Sequence, residues 1–511
     1  KGEGKRTINS WHEKQRILSF FGRLNYDFKD KYLLSFVFRR DGYSSLLGDN
    51  RWGFFPGVSA GWIFGREDFI KEAIPVMSFG KLRASYGING NASGIGAYTL
   101  QGSYGSSNSN GSFNYNGNTS YLITELPNPN LRWEKTATFE VGADLSFFAN
   151  RLNTNLTYYN RLTSDKYAAL SFPTSTGFSS VTNNNGEFRN QGIEIELSGK
   201  IIDSKDWTWS ASGNIAFNKN KIVSLPDNGM ERNRINAFQV YTGNGDEKKW
   251  VGGQQEGQEP GILYLYQADG IYRSYDEIPA NLVRKYGSRT YYGPEAWNKL
   301  TAEQQNATTN FPIQPGDTKF HDVNGDDVID EFDKVKVGAT SPRWTGGFNT
   351  TLRWKNFQLY GRFDYALGFW LYENSGTQST TPWFMGCYQG TYNTPTMYYD
   401  TWSESNPNAK YPRYLFADQN GKNNYIASTM FAYRGDYLAI REISLSYSLP
   451  ESVAKMLKMQ RAEVSITGQN LGYITGAKNV GSPEANPKDN GAVGQGYSLP
   501  RTILFGVNLT F

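Results

Sequence analysis

The sequence predicts an all-β chain whose antiparallel strands form part of a transmembrane β-barrel with long extracellular loops. Apolar and polar residues alternate in long segments throughout the chain, which is the pattern of strands with one dry and one wet face. Aromatic residues make up 15% of the 511 residues, although hydrophobic residues make up only 38%. Membrane barrels combine lipid-facing aromatic rings with a polar lumen, so this composition favours a barrel over a soluble globular protein.

No apolar segment of the sequence is long enough to form a membrane-spanning helix, which needs about 18 consecutive apolar residues. In a bilayer a closed barrel is then the remaining possibility, because every backbone polar group must be paired there. The formal net charge of +4 is spread along the chain, so the sequence predicts no nucleic-acid partner.

The alternating segments follow one another from the N-terminal region to the last residue. In seven of them, apolar residues occupy alternate positions and polar residues lie between them. The apolar series are, in chain order, Phe20, Gly22, Leu24, Tyr26 and Phe28; Phe139, Val141, Ala143, Leu145 and Phe147; Ile193, Ile195 and Leu197; Trp207, Trp209, Ala211, Ile215 and Phe217; Phe357, Leu359, Phe363, Tyr365 and Leu367; Ile443, Leu445, Tyr447 and Leu449; and Ile503, Phe505, Val507, Leu509 and Phe511. We predict about 12 to 14 membrane-crossing strands in all.

The connections between these segments are very unequal in length. Tight turns are predicted at residues 29–31 and 149–151, and long loops at residues 102–120, 227–261 and 373–436, of which the last is expected to be the longest. Short turns at one end and long loops at the other are typical of outer-membrane barrels. Within residues 278–306, Pro294 indicates the start of a helical turn in an external loop.

The chain ends in an aromatic residue, Phe511, that continues the apolar series of the last segment. A final strand of this kind is typical of proteins inserted into the outer membrane. The alternative is an ordinary edge strand at a chain end.

The residue types needed for catalysis are nearly absent. Cys387 is the single cysteine, so the chain can form neither an internal disulfide nor a cysteine-rich metal site. The only histidines are His12 and His321, which are too few to favour a histidine-based metal cluster or catalytic triad. Carboxylate pairs occur on several strands, but no nucleophile or base accompanies them at a suggestive spacing. The sequence therefore predicts a protein that is not an enzyme.

Residues 322–333 form the sharpest local motif, a loop rich in oxygen ligands. At positions 1, 3, 5, 9 and 12, oxygen-bearing side chains suit a calcium ion, with a backbone carbonyl at position 7. These residues are Asp322, Asn324, Asp326, Asp330 and Asp333, with Val328 supplying the carbonyl. The loop departs from the EF-hand pattern because Asp327 replaces the glycine of position 6 and Asp333 the glutamate of position 12. We expect structural Ca²⁺ here; the alternative is a solvated acidic turn held by side-chain-to-backbone hydrogen bonds.

A second candidate site is an aromatic loop segment. Trp383, Phe384, Tyr388 and Tyr392 lie close together in the chain, and Trp402 follows. Flat rings stack on sugars or clamp peptide side chains, so we predict that the first four contact substrate. The alternative is that they pack the loop against itself or a partner protein. The lumen-facing charges Arg362, Asp364 and Arg441 are further candidates, whose commoner role is to pair with one another.

A set of motifs, in this order along the chain, resembles the SusC/RagA-type TonB-dependent transporters of the outer membrane. The motifs are FFPGVSAGW at residues 54–62 with EDF at 67–69, LRASYGINGN at 82–91, NPNLRWE at 128–134, NQGIE at 190–194, WSESNP at 402–407, YPR at 411–413, the segment 437–450, GQNL at 468–471 and the C-terminal segment 500–511. The resemblance covers nearly all of the chain.

The resemblance implies that residues 1–511 are the C-terminal part of a barrel of roughly 22 strands. The plug domain, the TonB box and the first strands of such a transporter are absent from this chain, which we therefore expect to need its missing half. The implied partners are a SusD-like surface lipoprotein, the TonB–ExbB–ExbD system acting through the missing N-terminal part, and outer-membrane lipid. The implied assembly is a dimer of transporter–lipoprotein pairs.

The function we predict is active import of an oligosaccharide, or of an oligopeptide, across the outer membrane. One alternative is a structural, non-transporting barrel component of an outer-membrane assembly or surface complex. A receptor for metal chelates or vitamins would share the barrel, but the SusC-like motifs argue against it. A soluble β-rich carbohydrate-binding protein is disfavoured by the outward aromatic faces and by Phe511.

Overall fold

The computed structural model of the protein describes residues 10, 12–105, 107–108, 111–112, 114–115, 118–119, 121–372, 400–413, 426–477, 482–484 and 499–511. The chain divides into two compact units. Unit 1 comprises Lys1–Gly199, Asn218–Arg234 and Gln255–Glu259, and unit 2 comprises Lys200–Phe217, Ile235–Gln254 and Pro260–Phe511.

Unit 1 is built on long antiparallel strands, each paired with the next along the chain. In its described residues they number seven: β1 (Ile17–Phe28), β2 (Tyr32–Tyr43), β3 (Trp52–Trp62), β4 (Met77–Asn91), β5 (Glu134–Phe147), β6 (Leu152–Ser171) and β7 (Ser180–Asp203), whose last four residues belong to unit 2.

Unit 2 is built in the same way, with each of its long strands antiparallel to the next long strand along the chain. The part of it that the structure describes holds six: β8 (Trp207–Ser224), whose first eleven residues belong to this unit, β9 (Trp344–Trp354), β10 (Phe357–Leu367), β11 (Tyr437–Ser448), β12 (Arg461–Thr475) and β13 (Thr502–Thr510). The two sets together fall within the predicted 12 to 14 strands.

Short elements lie in the connections. The helices among the described residues are α1 (Asp68–Ala73), α2 (Pro294–Asn298), α3 (Ala302–Gln305) and α4 (Glu451–Met456). The predicted helix start at Pro294 is confirmed, because this proline occupies the first turn of α2. A capping box of Thr301 and Gln304 begins α3. None of the helices described is both long and apolar enough to cross a membrane.

Other short elements are one-turn 3₁₀ helices and strands of two to six residues. The 3₁₀ helices are Gly48–Arg51, Phe64–Arg66, Thr99–Gln101, Thr174–Thr176, Glu231–Asn233, Tyr275–Glu277 and Thr429–Phe431. The short strands are Ser103–Gly105, Ser107–Asn108, Gly111–Ser112, Asn114–Tyr115, Asn118–Thr119, Leu122–Glu125, Phe238–Tyr241, Lys248–Val251, Ile262–Tyr266, Ala268–Ile271, Val283–Tyr286, Arg289–Tyr292, Asn310–Pro312, Thr318–Phe320, Val328–Ile329, Lys334–Ala339, Trp370–Tyr372 and Ala432–Arg434.

The connections differ at the two ends of the strands, as predicted. Residues 29–31 join β1 to β2, and residues 148–151 join β5 to β6, with left-handed backbone conformations in both turns. The loops at the opposite ends include residues 92–133 in unit 1 and residues 368–436 in unit 2. The segment 373–436 was wrongly predicted as the longest connection: residues 225–343, between β8 and β9, are longer. Residues 225–343 contain several short strands, and for this reason the sequence did not show that they form a single connection between β8 and β9.

The register of the strands separates an apolar face from a polar face in each unit. One row of paired residues crosses all of unit 1 as Tyr26, Leu34, Ala60, Ala84, Val141, Tyr158 and Ile193. The next row, on the other face, is Asn25, Ser35, Ser59, Ser85, Glu140, Tyr159 and Gly192. In unit 2 the corresponding apolar row is Trp209, Leu352, Leu359, Leu445, Ile466 and Phe505.

The apolar faces are exposed. Phe505 is 81% exposed, and Phe20, Leu24 and Val507 are at least 58% exposed. Contiguous exposed apolar surface of this kind is what a barrel presents to lipid, whereas a water-soluble protein rarely carries it. Phe511 follows β13 and is also exposed.

Candidate functional site

The polar face of unit 1 carries an arginine that bridges three strands. Arg83 on β4 donates hydrogen bonds to Asp144 on β5 (Nε to Oδ1, 3.3 Å), and to Asn155 (Nη2 to Oδ1, 2.9 Å) and Thr157 on β6. The guanidinium crosses Gly142, where an added Cβ would lie 2.7 Å from Arg83 Cζ and 2.7 Å from a backbone oxygen. Arg83 therefore reaches β6 because residue 142 lacks a side chain.

We expect Gly142→Ala to displace Arg83 and to lower the free energy of unfolding by about 1 to 2 kcal/mol, since buried hydrogen bonds to a charged group are lost. Urea unfolding of the full gene product in detergent, followed by tryptophan fluorescence, measures this. Gly87→Ala is the matched control, because a Cβ there meets nothing closer than 3.7 Å. Equal effects of the two substitutions would show that Arg83 does not depend on Gly142.

In unit 2 a second arginine network lies on the polar side of β10 and β11. Arg441 pairs with Asp364 (Nε to Oδ2, 2.7 Å) and with Glu484, and Arg362 lies 4.0 Å from Asp364. A register shift opposite Arg362 leaves Arg441 without a backbone partner on β10. This bulge turns Arg441 to the polar face although its neighbour Ile443 belongs to the apolar series. Arg362, Asp364 and Arg441 thus pair with one another, which is the commoner role given for them in the sequence analysis.

The acidic loop of residues 322–333 is held by hydrogen bonds from its own backbone. Asp322 accepts from the N–H groups of residues 325 and 327, both at 2.8 Å, and Asp326 accepts from Val328 at 2.8 Å. Asp333 accepts from the N–H groups of Val323 (2.9 Å) and Asp330 (2.7 Å). Such side-chain-to-backbone hydrogen bonds are those expected of a solvated acidic turn, the alternative to a calcium site.

The same loop contains groups that a cation would stabilise. Asp333 is fully buried, and its burial raises the pKa of the carboxyl group to about 6. The side-chain oxygen of Asn324 is buried without a hydrogen-bond partner in the part of the chain described, while its amide nitrogen donates to Asp246 at 2.8 Å. Within that part, no three His, Cys, Asp or Glu side chains converge on a common point where a metal could bind. The calcium hypothesis stays a prediction.

The four aromatic residues predicted to contact substrate, Trp383, Phe384, Tyr388 and Tyr392, lie outside the described residues. Trp402 is described, and it packs against Gly316, whose added Cβ would lie 2.5 Å from the indole ring. The indole Nε1 donates to the backbone oxygen of Arg273 at 3.3 Å. The ring of Trp402 therefore packs within the loops of unit 2. This agrees with the alternative that the aromatic residues of this segment pack the loop against itself.

Sequence reasoning assigned no role to two buried arginines in the loops of unit 2. Arg413 pairs with the buried Asp317 (Nε to Oδ1, 2.7 Å) and contacts Gln314. Arg284, which is 3% exposed, stacks its guanidinium carbon 4.4 Å from the ring centroid of Tyr291 and 4.8 Å from that of Phe320. Burial lowers the pKa of Arg284. The YPR motif that contains Arg413 was the one available signal, and Arg284 had none.

These arginines help to hold a folded loop module. A core cluster of buried side chains joins segments far apart in sequence: Tyr266, Tyr272, Ile278, Leu282, Tyr291, Ile313, Phe320, Ile329 and Ile426. Such contacts give the loops a fixed surface rather than a set of independent turns.

Comparison with known proteins decides the family. Residues 3–288 match the family described as TonB dependent receptor-like, beta-barrel. The chain belongs to this family. The receptor is 29% identical over 512 residues to TonB-dependent receptor P3 of Formosa agariphila, covering 98% of this chain and 46% of that protein. It is 27% identical over 522 residues to TonB-dependent receptor SusC of Bacteroides thetaiotaomicron, covering 99% of this chain and 45% of that protein.

Solved structures show the same fold. The RagAB peptide transporter superimposes with a TM-score of 0.66 at 22% identity, over 97% of this chain and 48% of that chain. The open-open state of the RagAB peptide importer gives a TM-score of 0.69 at 24% identity, over 97% and 47%. The receptor chain thus spans about half the length of the relatives it matches.

The family membership confirms several predictions. The chain is similar to SusC along nearly its whole length, its fold is that of an antiparallel β-barrel of the TonB-dependent kind, and it belongs to an outer-membrane protein. The relatives it matches are named as TonB-dependent receptors, which agrees with the prediction that it is not an enzyme.

Proposed function

We propose that the complete receptor imports an oligosaccharide across the outer membrane, using energy delivered by the TonB–ExbB–ExbD system. The observation that carries this proposal is the likeness to SusC and to the P3 receptor along nearly the whole chain. The exposed apolar face and the ion-paired polar face support it, because a transport barrel needs a lipid-facing surface and a polar lumen.

An oligopeptide is the second candidate substrate. Solved structures that share this fold include those of a peptide transporter. The aromatic residues Trp383, Phe384, Tyr388 and Tyr392 suit either class, since rings stack on sugars and also clamp peptide side chains.

A SusD-like surface lipoprotein is the proposed partner, and a dimer of such pairs the proposed assembly. We further propose that parts of the protein outside this chain supply the plug domain and the TonB box. The SusC-type relatives and the RagAB fold support this arrangement. The rival proposal is a barrel with a structural role only.

Purification of the full gene product from outer membranes tests the proposal. We expect mass spectrometry to identify a SusD-like lipoprotein with it, and deletion of the gene to abolish growth on one class of oligosaccharide. Growth loss on peptides instead would select the second substrate class. Association with assembly or secretion factors, with no lipoprotein and no growth defect, would favour the structural role.

We also propose that residues 322–333 bind a structural Ca²⁺, with ligands from Asp322, Asn324, Asp326, Val328, Asp330 and Asp333. Binding would replace backbone hydrogen bonds of the carboxylates by bonds to the ion and would neutralise their mutual repulsion. Calorimetry with CaCl₂ is expected to give a binding heat, and Asp322→Asn to weaken it about tenfold or more.

Asp327→Asn is the control for this titration, because it removes the same charge from an exposed residue outside the proposed ligand set. The absence of calcium heat in the unmodified protein, or equal losses in the two variants, would leave the acidic turn as the correct interpretation.

A further inference from the structure

The polar face of unit 1 contains a trough whose floor is open backbone at Gly87. Gly57 on β3 and Gly87 on β4 are paired in register, and an added Cβ at Gly87 would be 3.7 Å from the nearest atom, the Cα of Gly57. An added Cβ at Gly57 would lie 3.0 Å from Cγ1 of Val37, so this side chain partly covers Gly57 and the gap between side chains is widest above Gly87. We call this feature the Gly57–Gly87 trough.

Arginines stand on both sides of the trough. The row of paired residues through its floor runs from Arg23 on β1 through Val37 to the two glycines, and on through Thr138 to Arg161 on β6. The cavity above this floor has a volume of about 760 Å³, which lies within the range of small-ligand sites.

The wall of the trough is lined by hydroxyl groups. Ser35, Ser59 and Ser85 are paired in register on three adjacent strands. The hydroxyl of Ser35 donates to Asn25 at 2.7 Å, whereas those of Ser59 and Ser85 have no partner among the residues described. Two free hydroxyls side by side can bond successive polar groups of an extended ligand.

Counted over the described residues, the charge of the trough is positive, because one of its two arginines has no carboxylate partner among them. Arg161 lies 3.3 Å from Glu140. Arg23 donates to Asn25 at 2.9 Å and to Ser35 at 3.3 Å, but no carboxylate among the described residues lies within ion-pairing distance of it. Both of these hydrogen bonds come from Nε of Arg23. Guanidinium groups bind carboxylates and other oxyanions in a two-pronged geometry, so an arginine with no carboxylate partner in the described part of the chain, beside the hydroxyls of Ser59 and Ser85, suits an anionic, polar ligand.

We propose that the Gly57–Gly87 trough is a binding site for the imported solute, which lies extended along Ser59 and Ser85 and places an anionic group on Arg23. The proposal rests on the import function and specifies its substrate as acidic. An oligosaccharide with carboxylate groups and an acidic peptide share this chemistry.

Binding of defined probes to the full gene product in detergent tests the site. Calorimetry compares trigalacturonate with neutral galactotriose, and a glutamate-containing tetrapeptide with its glutamine counterpart. We expect one acidic probe to bind more tightly than its neutral counterpart, and which pair shows the preference identifies the solute as glycan or peptide. If neither acidic probe binds preferentially, the proposal is overturned.

Two variants examine the two halves of the site. Arg23→Gln is expected to weaken binding of the acidic probe about tenfold while leaving its neutral counterpart unchanged. Gly87→Leu is expected to weaken both, because its side chain would occupy the trough. Arg353→Gln is the control, since Arg353 is also exposed on a polar strand face and has no ion pair in the described part of the chain.

An Arg23→Gln variant that keeps the full preference for the acidic probe would refute the site. Import is measured separately, by growth. If import is normal and neither trough variant changes binding, the trough proposal is refuted and the import function stands. If binding of the acidic probe depends on Arg23 but deletion of the gene causes no growth defect, the import function is refuted and the trough stands.

Discussion

Replacing Leu359 by arginine is expected to destabilise the folded receptor by about 1 to 2 kcal/mol, because Leu359 lies two residues from the end of β10 and the cost of a lipid-facing guanidinium falls from about 2 to 4 kcal/mol at the bilayer midplane to about 0 to 1 kcal/mol near the interface. Leu359 lies on β10 in the apolar row between Leu352 and Leu445 and is 44% exposed. Equilibrium unfolding of the full gene product in lipid vesicles, titrated with guanidinium chloride, measures the change.

Gln358→Arg is the control for this experiment. Gln358 is the preceding residue of the same strand and points to the polar face. The same new charge is then expected to change the stability by less than about 0.5 kcal/mol, since it stays in water. Similar losses at both positions would mean that the face of Leu359 is not in contact with lipid.

The second large effect is expected when Asp317 is replaced by alanine. Its carboxylate is fully buried and pairs with Arg413, which is itself largely buried, so the substitution leaves a guanidinium without its counter-charge. Removing one partner of such a pair costs about 3 to 5 kcal/mol. The loss is expected in the loop module, because Arg413 joins residues 400–413 to the segment around Gly316 through a backbone hydrogen bond of 2.8 Å.

Amide hydrogen exchange detects this change where it occurs. In Asp317→Ala, faster exchange is expected in residues 400–413 and 313–320, with the strands β8 to β13 unchanged. Glu451→Gln, which removes an exposed ion pair with Lys455, is the control and should leave exchange unaltered. Unaltered exchange in Asp317→Ala would show that the loop module does not depend on the buried pair.

The strands and their two faces were predictable from sequence because a strand repeats every two residues. Phe20 to Phe28 and Ile503 to Leu509 carry an apolar residue or glycine at every second position, with Phe21 and Leu504 as apolar exceptions on the other face. Backbone geometry alone then assigns each side chain to a face. The tight turns at residues 29–31 and 148–151 were likewise local, with Asp, Asn and Lys in left-handed conformations.

The bulge at Arg441 could not be predicted in the same way. It arises from a register shift between β10 and β11, which depends on pairing across 77 residues of sequence. Alternation alone would have grouped Arg441 with Ile443 on the apolar face, and only its charge suggested otherwise.

The loop module was also beyond sequence reasoning. Arg284 is surrounded by Tyr291, a near neighbour on the adjoining strand, and by Phe320, which approaches from a distant segment. Nothing in the residues around Arg284 indicates that it is buried, because its environment is created by contacts that form only when the loops fold together.

The length of the apolar series has a consequence for where the receptor resides. Strand β10 has 11 residues, and its apolar series runs over its whole length from Phe357 to Leu367, about 33 Å along the strand. At a tilt of about 40° this covers a hydrocarbon layer of about 25 Å. Typical bilayers are about 30 Å thick in this region, and the bacterial outer membrane is thinner. Hydrophobic matching thus favours the outer membrane. A thicker membrane would have to become locally thinner around the barrel, at a cost in free energy.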